Sequence, residues 1–292
     1  MVFSQKRKAS KIIELLMQVI VFKVIFFGVR CIDGSSNFTL INLVKSFVPN
    51  NYYVIFYVAL FFISLYINVV ISVLTKKDVC IMLIILMVLL SIYPTIVDSI
   101  NDFTSEEIID LSTISREGSG NGYTIVQFCL MYVIGAAIGR YKDDVRIFKN
   151  KYLIIAWMID VLVIFITSYC LHDKFISTAL SYCNPFVILE AVIIFLIFKN
   201  MNINDSRIIN RLAKGSFTVY LVHTPFLSYL HYDRVAKLNP LYMTIIILFT
   251  ITIIYILGWL IYEVYNFINS KTIKKIIDKL NIPDLEIKSY NS

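Results

Sequence analysis

His223, Asp160, Glu190 and Tyr132 are chemically out of keeping with their neighbours, because each lies inside a long apolar run. An ionisable group near the centre of a membrane-spanning helix costs about 2.5–3.5 kcal/mol on the insertion scale, so its presence needs a reason. Two carboxylates, an imidazole and a phenol in one apolar setting could move protons, since a buried carboxyl changes its acidity and imidazole titrates near neutrality. The same groups could instead satisfy one another in pairs between helices. Both readings stay open from the residues alone. Lys23 is a further charge within a run and could reach down to pair with Asp160. Glu14 and Glu263 lie near run ends, where pairing is the simpler reading.

His223 is the sharpest of these residues. Ser216, Tyr220, His223 and Leu227 recur at the spacing of one helical face. Pro225 removes a backbone donor and leaves the carbonyl of Leu221 without its helical partner. A weakened helix beside an imidazole is a frequent border of a cavity. An interhelical contact for His223 is the competing reading.

The elements that must hold these residues follow from composition. The chain has 292 residues, of which 58% are hydrophobic and 16% charged, with a mean hydropathy of +0.76. Soluble domains carry about 45–50% apolar and about 25% charged residues. The excess must face lipid, which excludes a soluble enzyme, a nucleic-acid binder and a disordered scaffold. The net charge of +7 sits in short runs between apolar stretches rather than in one patch.

Apolar runs of membrane-spanning length fall at about 12–29, 52–74, 79–97, 124–140, 152–171, 180–198, 216–232 and 241–266. Eight helices in an all-α polytopic membrane bundle are therefore expected. With the N-terminus in the cytoplasm, twenty of the 27 Lys and Arg residues fall on the cytoplasmic side and six outside. That asymmetry places both termini inside. On this topology Tyr132, Asp160, Glu190 and His223 all lie about 10–12 Å from the cytoplasmic side, given a 1.5 Å rise per residue. The N-terminal run is too long for a signal-peptide core and lacks a small-residue cleavage site, so it reads as a retained span. Residues 271–292 read as a basic, polar cytoplasmic tail with Pro283 as a breaker.

Other chemistries find no support. The five cysteines contain no C-x-x-C pair, which leaves no metal expected and buried thiols as the default. Gly118-Ser119-Gly120-Asn121-Gly122 is glycine-rich, but no strand precedes it and no G-K-S/T follows, so it reads as a flexible surface turn.

Four stretches together resemble the acyltransferase-3 family of membrane acyltransferases. Lys214-Gly-Ser-Phe-Thr-Val-Tyr-Leu-Val-His223 resembles the family's S-F-G-I-Y-L-I-H helix. Tyr132-Val-Ile-Gly135-Ala-Ala-Ile-Gly-Arg140-Tyr141 is similar to its Y-L-I-G-A-Y-I-R-x-Y segment. Tyr52-Tyr53-Val-Ile-Phe-Tyr57, continuing to Asn68, is similar to its Y-W-F-V-x-A-Y…L-N helix. Asn184-Pro185 through Glu190, Ala191 and Phe195 resembles S-P-x-x-x-x-x-A-x-x-L-F. The order matches the family's across residues 10–270, and the nearest flavour is a bacterial surface-polysaccharide O-acetyltransferase.

The resemblance implies transfer of an acyl group, acetyl by default, from cytoplasmic acyl-CoA to a hydroxyl of an extracytoplasmic carbohydrate, at the cell membrane and with no bound cofactor. Arg140, Lys142 and Arg146 would attract the phosphates of CoA, with plain positive-inside charge as the alternative. Tyr57, Asn68, Tyr132, Gly135, Asp160, Glu190, Ser216 and Tyr220 are the motif-matched or channel-lining residues, and Tyr220 and His223 would position the acyl chain or acceptor. Family members have about ten helices, the first carrying an R-x-x-A…H pattern whose His is the base. This chain reads as eight spans with no His before His172, so the resemblance implies a domain lacking two N-terminal helices. His223 is then the one candidate base within a span, or a partner supplies the missing helices. A non-catalytic remnant and a polysaccharide flippase are the alternatives; the flippase predicts pseudo-symmetric halves, and no internal repeat is visible.

Overall fold

The computed structural model describes residues 3–48, 52–104, 120–141, 149–170, 176–201, 206–228, 235, 237–280 and 282–289. In chain order the elements are β1 (Phe3–Arg7), α1 (Ser10–Ile32), α2 (Leu40–Phe47), α3 (Tyr52–Val73) and α4 (Lys76–Met87). A π-turn (Val88–Ile92) leads into α5 (Tyr93–Phe103), followed by α6 (Ile125–Arg140), α7 (Asn150–Cys170), α8 (Ile176–Ala179) and α9 (Pro185–Asn200). The last elements are α10 (Arg207–Ser228), α11 (Pro240–Lys271), α12 (Ile273–Lys279) and β2 (Leu285–Ser289), which pairs with β1.

Five stretches are long and apolar enough to cross a membrane, as an all-α polytopic bundle requires: Ser10–Ile32, Val54–Val73, Lys76–Phe103, Asn150–Tyr169 and Pro240–Ile277. Helices also occupy the other three apolar runs. Helices α6 and α9 have 16 residues each, about 24 Å against a hydrocarbon core of about 30 Å. Helix α10 has 22 residues but opens with Arg207, Arg211 and Lys214, which dilute its apolar character. It therefore begins well before residue 216, and it continues through Pro225 to Ser228.

The chain divides into two units. One comprises Met1–Gln5, Ile55–Asn202 and Glu286–Ser292; the other comprises Lys6–Val54 and Ile203–Leu285. In the first, α7 packs on α9 through Leu153, Ile193 and Leu196, with Trp157 and Ile138 alongside. Around them runs a chain of buried polar contacts. Pro94 cannot donate to the carbonyl of Leu90, and the helix loosens there into the π-turn. Ser91 of that turn donates to the Cys183 carbonyl at 2.6 Å. Gln127 reaches the Tyr182 carbonyl at 2.9 Å, and Thr178 donates to Asp102 at 2.6 Å. Residues 181–184 are thus consumed in a hydrogen-bonded turn, and α9 starts at Pro185 rather than at 180, with Asn184 capping its first turn.

The glycine-rich stretch ends in the tightest part of this turn. Asn121 has φ 55° and Gly122 φ 83°, and the Asn121 carbonyl accepts from both Ser181 Oγ and Tyr182 N. A Cβ on Gly122 would lie 2.9 Å from the Cys183 nitrogen. At Asn121–Gly122 the stretch is thus a packed, hydrogen-bonded turn rather than the flexible surface turn expected from its composition.

In the second unit α10 and α11 run antiparallel at close range. A Cβ on Gly258 would lie 2.9 Å from Val219 Cα, and one on Gly215 would lie 2.9 Å from Trp259 Cδ1. Without a hydrophobic drive between helices in lipid, such small-residue contact is what lets backbones approach. The pair is closed at one end by Arg211, whose Nε and Nη2 reach the two Glu263 oxygens at 2.7 and 3.0 Å. Glu263 near its span end is thereby paired. Helix α1 joins through Gln18, which donates to buried Thr218 at 2.8 Å, and through Phe22 against Tyr265. The region after residue 270 is more than a solvated tail, because α12 packs on α1 and buries Ile277.

Replacing Gly258 by Leu should separate α10 from α11 and lower stability by about 1–3 kcal/mol, whereas Gly28→Ala, which meets no atom within 4 Å, should leave it unchanged; thermal unfolding of the purified protein in detergent compares them. Gly122→Ala combines a left-handed backbone with a clash at Cys183 and should cost about 1–3 kcal/mol. Faster proteolysis of the 176–184 region in that variant is the expected readout.

Candidate active site

Helix α10 turns two faces to different surroundings. Gly215, Thr218 and Val222 recur at helical spacing and are buried, Val222 and Thr218 completely. Ser216 and Tyr220 lie on the other face and are exposed, Tyr220 to 38%, with His223 partly buried beside them. The Ser216–Tyr220–His223 face read from spacing is therefore the more exposed of the two. Phe217, Tyr220 and His223 form an aromatic ladder along it, with centroid separations of 6.4 and 5.5 Å.

The His223 ring is fixed by its own helix. Nδ1 lies 2.5 Å from the Tyr220 carbonyl oxygen. A carbonyl only accepts, so Nδ1 carries the proton and the neutral ring keeps its lone pair on Nε2. Nε2 then accepts from the Thr224 hydroxyl at 3.3 Å, a long contact that an incoming hydroxyl could displace. One ring nitrogen is thus held by backbone, and the other faces the Thr224 hydroxyl.

In the other unit, Asp160 lies on α7 and Glu190 on α9, two helices packed on each other. Glu190 accepts from Trp157 Nε1 of α7 at 3.3 Å. Asp160 is 4% exposed, and its Oδ2 has no hydrogen-bond partner among the described residues. Lys23 caps a different group, the Val48 carbonyl. Tyr132 on α6 accepts from Asn68 Nδ2 on α3 at 2.8 Å, so two motif-matched residues meet directly. Tyr57 is half exposed near Phe128, 6.5 Å between centroids. Gly135 is exposed, and a Cβ there would meet nothing within 4 Å, so helix packing does not require glycine at that position.

Arg140 ends α6 with its guanidinium 5.3 Å from the Tyr141 ring centroid, and Lys76 at the start of α4 approaches the same ring at 6.0 Å. Lys199, at the end of α9, donates to the Ile138 carbonyl at 3.3 Å. Three cations from three helices thus gather at one end of this unit. Lys142 and Arg146 lie outside the described residues, as do His172 and His231.

Sequence reasoning missed the polar contacts of Gln18, Ser91, Gln127, Thr178 and Ser181. Single serines, threonines and glutamines within apolar runs carry no signal of their partners. Asn184-Pro185 did carry one, as a cap followed by a first-turn proline.

The chain has no significant match among curated proteins or among solved structures. Residues 10–259 match the model of the acyltransferase-3 family, described as an acyltransferase domain. That match takes in α1 through most of α11 and all four motif stretches, and the chain belongs to the acyltransferase-3 family of membrane acyltransferases.

Proposed function

We propose that this membrane acyltransferase moves an acetyl group from cytoplasmic acetyl-CoA to a hydroxyl of an extracytoplasmic carbohydrate, such as a bacterial capsular or cell-wall polysaccharide, as a multi-pass protein of the cell membrane. The observation that carries the reading is the family match across residues 10–259. The residue roles rest on the geometry of α10.

In this mechanism His223 Nε2 takes the proton from the acceptor hydroxyl as its oxygen attacks the thioester carbonyl. A carbon–oxygen bond forms, the carbon–sulfur bond breaks, and the CoA thiolate leaves and takes up a proton. The Tyr220 carbonyl holds Nδ1–H throughout and fixes the ring's orientation. Tyr220 and Phe217 line the approach as apolar walls for the acyl group. Arg140, with Lys142 and Arg146 following it in sequence, attracts the CoA phosphates.

Membranes containing the protein should transfer radiolabelled acetyl from acetyl-CoA into cell-surface polysaccharide. His223→Ala should reduce that incorporation by about 100-fold or more at unchanged protein level, and His223→Gln should not rescue it. Unchanged incorporation in His223→Ala would remove His223 from the chemistry while leaving the family assignment intact.

A further inference from the structure

Lys23 is charged, sits in the middle of α1, and still has a partner that membrane topology alone would not supply. Its ammonium donates to the carbonyl of Val48, the residue that ends α2. For this contact to form, α2 must fold back along α1. The pairing of Phe38 with Phe27, at 5.9 Å between centroids, marks the other end of the same return. Phe27 and Lys23 lie five and nine residues before the end of α1 at Ile32, which sets them about 7 and 13 Å below it at 1.5 Å per residue. Helix α2 thus lies beside the apolar body of α1 rather than beyond its tip.

Two properties of α2 fit that depth. Several of its end groups are met within the protein: Thr39 accepts from Asn42 N, Ser46 Oγ donates to the Leu43 carbonyl at 2.6 Å, Val48 N bonds the Lys45 carbonyl, and Lys23 takes the Val48 carbonyl. Hydrocarbon tolerates a helix end only when its orphan groups are met in this way. Its faces are also reversed relative to a soluble helix. Asn42, Leu43 and Ser46 turn toward protein, whereas Leu40, Ile41, Val44, Phe47 and Val48 form one exposed apolar stripe. The stripe continues onto Ile25, Val29 and Ile32, exposed on α1 itself, which is a spanning helix.

We propose that α2 is a re-entrant helix embedded in the leaflet at the C-terminal end of α1, with its Leu40–Val48 stripe covered by lipid acyl chains. Lys23 holds it there by capping its C-terminal end, where the helix dipole also favours a cation. Lys45 at the edge of the stripe can extend its ammonium toward the head groups.

The full chain carrying Val44→Trp, reconstituted in phosphatidylcholine vesicles, tests this directly. The added fluorescence, measured against the parent protein, should fall by about half or more when the lipid is brominated midway along its acyl chains. Ile41→Trp is the second reporter in case Val44→Trp does not fold. Lys23→Met should cut the quenching in either reporter background, and Lys23→Arg should restore it. Absence of quenching in both reporters, whether water, a second copy or another protein covers the stripe, overturns the proposal, as does quenching that is unaffected by Lys23→Met.

Discussion

Hydrocarbon supplies no hydrogen-bond partners, and this constraint organises each unit of the chain more than any single packing contact does. Apolar side chains cost nothing to leave facing lipid, so burial alone cannot decide which helix faces meet. What decides it are the few polar groups that must find one another. Gln18 finds Thr218, and α1 is set against α10. Asn68 finds Tyr132, and α3 is set against α6. Trp157 finds Glu190 across the α7–α9 contact. Each is a bond of modest net value, yet the alternative to each is a polar group stranded in lipid.

The same constraint explains which parts were legible in the sequence. Hydropathy locates helices, because it is a property of a segment alone. All eight apolar runs became helices for that reason. Boundaries shifted where a partner elsewhere in the chain intervened. Helix α9 begins late because Ser181, Tyr182 and Cys183 are held by Asn121, Gln127 and Ser91, residues far away in sequence. Helix α10 begins early because Arg211 pairs with Glu263 and the charged first turns are stabilised as helix. Lys23 shows the limit most clearly. Its depth could be read from spacing, and a carboxylate was the natural partner to expect, but its partner is the backbone carbonyl of Val48, which no pattern of residue types announces.

The candidate site divides along a similar line. The face of Ser216, Tyr220 and His223 was legible because helical spacing needs no knowledge of neighbours. Its opposite face, Gly215, Thr218 and Val222, was not singled out, although it explains why the first face remains accessible: Gly215 and Val219 are pressed against α11, and Thr218 against α1. The tautomer of His223 was also beyond the sequence. It depends on a carbonyl three residues earlier in the same helix, and hence on a side-chain rotamer.

A helix-borne imidazole anchored to its own backbone differs in one respect from a base oriented by a carboxylate. A carboxylate partner would stabilise the imidazolium strongly and hold the ring from outside its helix. The Tyr220 carbonyl supplies a weaker, neutral acceptor and moves with the helix as one body. Orientation of the ring is therefore tied to the backbone of α10 and needs no side chain from a neighbouring helix. Among the described residues, the hydrogen-bond contacts of the His223 ring, to the Tyr220 carbonyl and the Thr224 hydroxyl, both come from α10 itself.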